Sequence, residues 1–578
     1  MALSSLIEFD VQTGGHIDNG GGFKAGASGT DRSLATTPHV TFDGTTILAV
    51  TGGTSATITI TGYTVINGDV GNVVKITGGT NFTAGYYEIV SVNTGANTWT
   101  LDRNCTSGVG AAMTGRMGGC SDHPNTIESI LVDGNVMWIK SGTYQKVGAN
   151  TYVFRMTQDG ASAAPVRIIG YTSTHGDTCN GTDRPLIDAN SSATNALTNN
   201  SVNSYSTLFM NLRFANSTGI CVFINYGQFH NCKISNSGGR GFDGASFYAT
   251  LCEINNNTTE GVYTNDAFVS FGMTYCYVHD NGGSGIYNAN GSSGQMMMAY
   301  VISESNTGQG FYDQVTETHS YINCMAINNT GASSDGFGID GGGGYKENIA
   351  VNCISKDNGR AGWSHWQENA TQMCRLLACC THGNGSTAYR NWSTIHVFDS
   401  ITSDPLFADL AGGRFDLQWT SPCIGAGGGS LWSRAGLSGS LPGNIGVDQN
   451  RNFFTWGIGT ISKDTADARS GTCIKFDPTS TTKDLGYRFL VPCTNATAFT
   501  VKLYVKKSSS GANCTLTLSA SGSGITPVAN DSITLTDTYA QYTSPSMTPN
   551  ADGFVEIILK AKDGSTTGNI FVDDISLV

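Results

Sequence analysis

The sequence predicts an all-β solenoid flanked by further β-domains, and three observations carry that expectation. First, between about Leu212 and Tyr389 one phrase returns eight times: an apolar strand, an Asn/Gly turn, then Gly and a large apolar residue. It reads Gly219-Ile220, Gly241-Phe242, Gly261-Val262, Gly285-Ile286, Gly310-Phe311, Gly336-Phe337 and Gly362-Trp363, closing with the variant Ala388-Tyr389. The steps between the glycines are 22, 20, 24, 25, 26 and 26 residues. That interval, filled with short strands and turns, makes each repeat one coil of a stack. Second, a cysteine stands nine residues before the closing Gly or Ala in Cys232, Cys252, Cys276, Cys353 and Cys379, and twelve before it in Cys324. Third, Asn follows five residues after most of these cysteines, at Asn257, Asn281, Asn329, Asn358 and Asn384. Hydrogen-bonded strands stack about 4.8 Å apart, so like residues lie above like residues and the cysteines and asparagines form internal ladders.

The registered repeats resemble those of the right-handed parallel β-helix of the pectate-lyase type. Polysaccharide lyases, glycoside hydrolases, phage tailspikes and other virion appendages share that fold. The resemblance covers roughly Ile127 to Asn450 and implies a fold; function has to be argued from a site.

Taken in order, residues 1–37 hold Gly14-Gly15, Asn19-Gly20-Gly21-Gly22-Phe23 and a Gly-rich run to Asp31. They resemble an N-terminal segment whose task is to cover the open edge of the first coil; a metal or ligand site on Asp31 is the alternative. Residues 38–120 carry short β-runs such as Thr57-Ile58-Thr59-Ile60 and Val73-Val74-Lys75-Ile76, spaced as in a small inserted barrel or sandwich. Residues 121–450 form the solenoid. It opens on Val136-Met137-Trp138-Ile139-Lys140, and the run from Asp404 to Asp448 resembles closing coils. Residues 451–578 start again with alternating strands, Ala498 to Val505 and Phe554 to Leu559, as in a β-sandwich. The ending from Gly568 to Val578 resembles the last strand of jelly-roll carbohydrate-binding modules. In those modules the acidic pair, here Asp573 and Asp574, commonly lies near a bound structural calcium.

Composition bounds the partners. The chain of 578 residues has 75 glycines, 13% charged residues and a net charge of −13. Average glycine use is about 7% and charged use about 25%, so this is a turn-rich, neutral-polar and mildly acidic surface. A nucleic-acid partner is not expected. No basic segment followed by an apolar run opens the chain, and no apolar run of about 18 residues occurs, so neither a Sec signal nor a membrane span is expected. Six of the 16 cysteines hold the ladder position, where they read as buried thiols; stacked coils also bring Cys353 and Cys379 near disulfide range. Thiols without a signal fit folding in a reducing cytoplasm.

Enzymes that resemble this scaffold act on glycans with paired carboxylates or with a basic residue and calcium, and a hydrolase needs its two carboxyl groups about 5 to 9.5 Å apart. The densest candidates span the fifth to seventh coils, with Asp313, Asp340, Glu347 and His365 as catalytic candidates and Tyr312, Tyr345, Trp363 and Trp366 as surfaces for sugar rings. Asp335 and Arg360 lie in the same stretch. The competing reading makes Trp363 a continuation of the apolar ladder of Phe311 and Phe337. No Gly-x-Ser-x-Gly elbow or zinc spacing appears, and the basic residues that lyases of this fold use are scarce. Apart from a structural calcium, no cofactor is expected. The resemblance implies a phage virion protein, a tailspike, fibre or capsid-decorating appendage. It would be a homotrimer assembled in the host cytoplasm, in contact with other virion proteins and cell-surface glycans. The alternatives are a polysaccharide lyase or glycoside hydrolase with a carbohydrate-binding module, exported by a non-Sec route, and a bacterial surface adhesin.

Overall fold

In the computed structural model the described residues are 3–577, except 45–46, 51–55, 158–163, 178, 180, 200–206, 265–270, 290–295, 315–318, 340–345, 366–371, 391–394, 411–413, 418–420, 424–453, 457–458, 465–468, 470–472, 479–484, 494–495, 510–513, 522–524, 551–552 and 563–567. The solenoid is a parallel β-helix with three long sheets, one of 13 strands and two of 10. We call them sheets I, II and III in the order in which each coil visits them. The coil with strands Tyr226–His230, Lys233–Ser235 and Phe242–Asp243 pairs in register with Ser246–Thr250, Glu253–Asn255 and Val262–Thr264 of the next.

Two bends shape each coil. Between sheets I and II a single residue takes left-handed backbone, as at Asn211, Asn231, Leu251, Tyr275 and Tyr300. Asparagine tolerates that conformation and Leu or Tyr does not favour it, so the stack imposes it where the side chain is large. Between sheets II and III a second left-handed residue, such as Asn236, Asn256 or Asn328, is followed by a residue turned inward. Those inward residues form the asparagine ladder. Asn257 Nδ2 donates to Asn281 Oδ1 (2.9 Å), Asn281 to Asn306 (2.9 Å), Asn306 to Asn329 (3.0 Å), Asn329 to Asn358 (2.8 Å) and Asn358 to Asn384 (2.9 Å). Each acceptor oxygen also takes the backbone N–H of the preceding rung, as Asn306 Oδ1 does from Asn281 (3.1 Å). The ladder thereby pairs backbone donors that a buried bend would otherwise orphan.

Apolar columns fill the interior. Phe311, Phe337 and Trp363 stack with centroids 4.7 and 3.9 Å apart and planes within 5° of parallel, and Phe209, Phe229, Phe242 and Phe247 make a second aromatic cluster. Cys232, Cys252 and Cys276 are buried free thiols. Cys252 Sγ lies 3.6 Å from the Phe229 carbonyl oxygen, one coil away.

The N-terminal segment does more than cover an edge. Ile7–Val11 pairs in parallel with Val136–Lys140 as a strand of sheet I, and Gly22–Lys24 pairs antiparallel on its outer side. Asp31 serves a local turn, accepting from Ser33 N and Oγ (2.8 and 2.6 Å). The seven-stranded antiparallel sheet between Val40–Asp43 and Thr106–Met117 is an insertion between those two solenoid strands. Its core centres on Trp99, whose indole N–H donates to buried Asp69 (3.0 Å).

Two compact units divide the chain, the second comprising residues 399–578 with the short pieces 351–353 and 377–380. Residues 454–577 form two five-stranded antiparallel sheets with an apolar filling that includes Leu503, Leu516, Leu518, Ile557 and Leu559. That is a β-sandwich. Among the described residues no helix is long and apolar enough to cross a membrane.

Candidate functional site

Alternation along a strand sends neighbouring residues to opposite faces, and this separates the sequence candidates. On Phe311–Asp313 of sheet III, Tyr312 faces outward and is half-buried, whereas Asp313 is turned in and 1% exposed. Asp313 accepts from Asn288 Nδ2 (3.2 Å) and Tyr321 Oη (3.2 Å) and pairs with His319 Nδ1. It is the hub of an interior polar network. His365 shares Asp313's column two coils on, with Ile339 between them, and is buried as well. Trp363 is the interior stack already described, so its ring has no free face for a sugar. Asp335 is fully buried under Arg360, which grips both carboxylate oxygens, and it also takes the Ser364 hydroxyl and the Ala361 N–H (3.0 Å). Asp340, Tyr345 and Trp366 lie outside the described residues, and Glu347 stands on Lys346–Val351 with its side chain undescribed. Asp573 accepts from Arg469 N (2.6 Å) inside the sandwich; Asp574 has no described side chain. Among the described residues no group of three or more His, Cys, Asp or Glu could hold a metal ion.

Tyr312 belongs to an outer column that the sequence pattern did not single out. Asp243, Tyr263, Tyr287 and Tyr312 lie one above another in register on sheet III. Tyr287 and Tyr312 stack at 4.7 Å, and Tyr263 meets Tyr287 edge-on at 5.3 Å. Arg240 closes the lower end, its guanidinium carbon 3.2 Å from the Tyr263 centroid and its nitrogens paired with Asp243 (2.7 Å) and Glu260 (3.3 Å). Tyr287 Oη donates to Gln314 Oε1 (2.6 Å), and Gln314 Nε2 donates to the Tyr312 hydroxyl. Beyond Tyr312 the column continues at Gly338. A Cβ there would fall 2.0 Å from Gln309 Oε1, a buried acceptor without a hydrogen-bond partner among the described residues. The column therefore offers ring edges, hydroxyls and amides in a strip with a charged group at one end.

Sheet II carries the second cluster. Glu253 Oε1 pairs with Lys233 Nζ (2.7 Å) and His279 Nε2 (3.4 Å), and His279 Nδ1 pairs with Asp280 (2.7 Å). Tyr277 lies flat on His279 at 3.9 Å and donates its hydroxyl to Glu304. The hydrogen bond from His279, aided by Lys233, outweighs burial and holds Glu253 down to about 2. Burial instead raises Glu304, with the Tyr277 bond opposing. Burial opposes charge on His279 too, but its two carboxylate partners prevail and raise it. Two carboxylates are thus pushed apart around one imidazole, the pattern that assigns acid and base roles where chemistry occurs.

The cluster gives a pH signature. A depressed carboxylate stabilises the fold above its unfolded value of 4.5 and loses that contribution as pH falls toward about 2. A raised histidine stabilises below 6.5 and loses its contribution as pH rises through the folded value. The stability difference between wild type and Glu253→Gln is therefore expected to be widest between pH 4.5 and 6.5. Thermal unfolding across pH checks this, and a difference independent of pH would contradict the His279 link.

No protein-family model and no curated protein sequence matches the chain. Several solved structures are similar to it in part or along most of its length. The enzymatically active domain of bacteriophage CBA120 tailspike protein 4 is 13% identical, over 94% of this chain and 78% of that one, with a TM-score of 0.28. Pectate lyase Pel9A is 13% identical over 57% of this chain and 91% of its own, with a TM-score of 0.37. A family 16 carbohydrate-binding module is 23% identical over 21% of this chain and 86% of its own, with a TM-score of 0.17. All three are distant likenesses.

Proposed function

We propose that the protein is a glycan-binding appendage of a phage-like virion. In this reading it assembles as a homotrimer and uses the outer tyrosine column of sheet III to hold a cell-surface polysaccharide. The observation that supports it is the column itself: three registered tyrosines, two of them tied through Gln314, with Arg240 at the end. Aromatic edges with hydroxyl and amide groups match the alternating apolar and hydroxyl surfaces of a sugar chain. Arg240 is already held by Asp243 and Glu260, so the strip has no spare positive charge at that end and suits a neutral sugar chain better than an acidic one. The decisive experiment screens purified bacterial surface polysaccharides for binding to the intact protein. Tyr287→Ala with Tyr312→Ala is expected to weaken binding at least about tenfold, the loss of one or more central aromatic contacts. Unchanged affinity would remove the column from the function.

The rival reading, a glycan-degrading enzyme, is favoured by the Glu253 and Glu304 pair. Their strands are two coils apart, roughly 10 Å along the stack, and the residues stand two positions out of register. The backbone spacing therefore exceeds the roughly 5 to 9.5 Å of a hydrolytic pair, and the side chains have to close the difference. In the same screen, new reducing ends that disappear in Glu304→Gln would select hydrolysis over simple attachment.

A further inference from the structure

The outer face of sheet I differs from every other described face of the solenoid. On the six strands between Thr207 and Ile322 its described outward positions carry no Asp, Glu, Lys or Arg. One column runs Leu208, Gln228, Tyr248, Gly272, Met297, Ser320, and the next runs Met210, His230, Thr250, Thr274, Ala299, Ile322. Below it the column meets exposed Arg167. Equivalent outer positions on sheet II are Arg213, Lys233 and Glu253, and sheet III has Asp243.

The neutral face is also apolar at its centre. Tyr248 is 55% exposed and Met297 51% exposed. Between them Gly272 has no side chain, and a Cβ there would touch the Tyr248 ring at 3.1 Å, so that ring leans over the glycine and the face stays flat. Exposed large apolar side chains grouped on one flat face mark a surface that another surface covers.

We infer that this face is where copies of the chain meet. Electrostatics favours this face: the chain carries a net charge of −13, so two copies repel wherever acidic surfaces approach, and sheet I offers an approach free of that repulsion. Extent agrees with it. Six strands about 4.8 Å apart, each of four or five residues and so about 13 to 17 Å long, give roughly 400 to 500 Å² per copy, and two such faces roughly 800 to 1,000 Å², at the low end for a specific interface. Gln228, Ser320 and the threonines between them supply neutral hydrogen-bonding groups. The inference rests on the self-association in the proposed function and is independent of glycan binding; the same face on both copies makes a two-fold pair, so it predicts a dimeric contact in place of the threefold one.

Light scattering on the full chain over a range of concentrations tests it. The wild type is expected to exceed the single-chain mass, and Tyr248→Lys with Met297→Lys to weaken association at least about a hundredfold, the scale of like charges facing each other in an interface, with unchanged circular dichroism. A wild type that stays a single chain throughout would overturn both the self-association and its location. Association untouched by the two lysines would overturn the location alone. Should the double variant misfold, a benzophenone amino acid at position 297 of the otherwise native chain decides: photo-cross-linked chains support the face, and their absence from an associated sample refutes it.

Discussion

Asn306→Ala is expected to destabilise the solenoid by about 3 to 5 kcal/mol, since it orphans two buried donors and each costs about 1 to 3 kcal/mol when unmade. The donors are the backbone N–H and the side-chain amide of Asn281, both of which use Asn306 Oδ1. The lost side chain also donates to Asn329 Oδ1, Ser303 Oγ (3.1 Å) and the Val278 carbonyl (3.3 Å). Bulk water does not reach these groups, because Asn281, Asn306 and Asn329 are at most 1% exposed. A stack of coils is stabilised chiefly by nearest neighbours, so losing a middle rung is expected to open the chain locally. Denaturant unfolding gives the magnitude and limited proteolysis the place. Cleavage should rise between about 281 and 329, and a loss under about 1 kcal/mol would show that the ladder is ornamental to stability.

Trp363→Ala is expected to cost about 3 to 5 kcal/mol, the range for truncating a large buried aromatic. The ring is 1% exposed and lies 3.9 Å from Phe337, nearly parallel to it. Trp363→Phe separates stacking from the polar part of the side chain. The indole Nε1 is buried with no hydrogen-bond partner among the described residues, so phenylalanine keeps the stack and removes an unmet donor. Its cost is expected to stay within about 1 kcal/mol. Equal losses from both variants would mean that the indole's volume, rather than the aromatic stack, holds the column.

These two side chains also show what the sequence makes legible. The ladder is readable from Cys252 onward wherever a cysteine marks the coil, because Asn follows it by five residues, whereas Ser237 stands at that place after Cys232. Asn306 went unread since Val301 fills the cysteine's place, although Val301 is buried at the same position and the count of five still holds. Trp363 was readable as a column member because it follows its glycine as Phe311 and Phe337 do. Asp313 was harder. Its carboxylate suggests solvent, yet the strand's parity puts Phe311 inside, Tyr312 outside and Asp313 inside, and Asn288, Tyr321 and His319 satisfy it there. Parity, applied before residue type, would have separated Tyr312 from Asp313.

The sheet II cluster was invisible for another reason. Glu253 and Tyr277 each follow their coil's cysteine by one residue, while His279 follows Cys276, and Glu304 follows Val301, by three. The bonds cross between these two columns, from Glu253 to His279 and from Tyr277 to Glu304. A search for like residues in like places finds neither pair. The uncharged face of sheet I was equally hidden, since absence of charge is noticed only once outward positions are separated from inward ones.

The central claim is that a glycan lies along the outer column of sheet III. Hydroxyl-radical footprinting of the intact protein, with and without a polysaccharide that it binds, tests this most directly. The account predicts protection of Tyr263, Tyr287 and Tyr312 together, with Tyr248 and Met297 on sheet I unchanged. Bound polysaccharide that leaves those three tyrosines as reactive as before would contradict it.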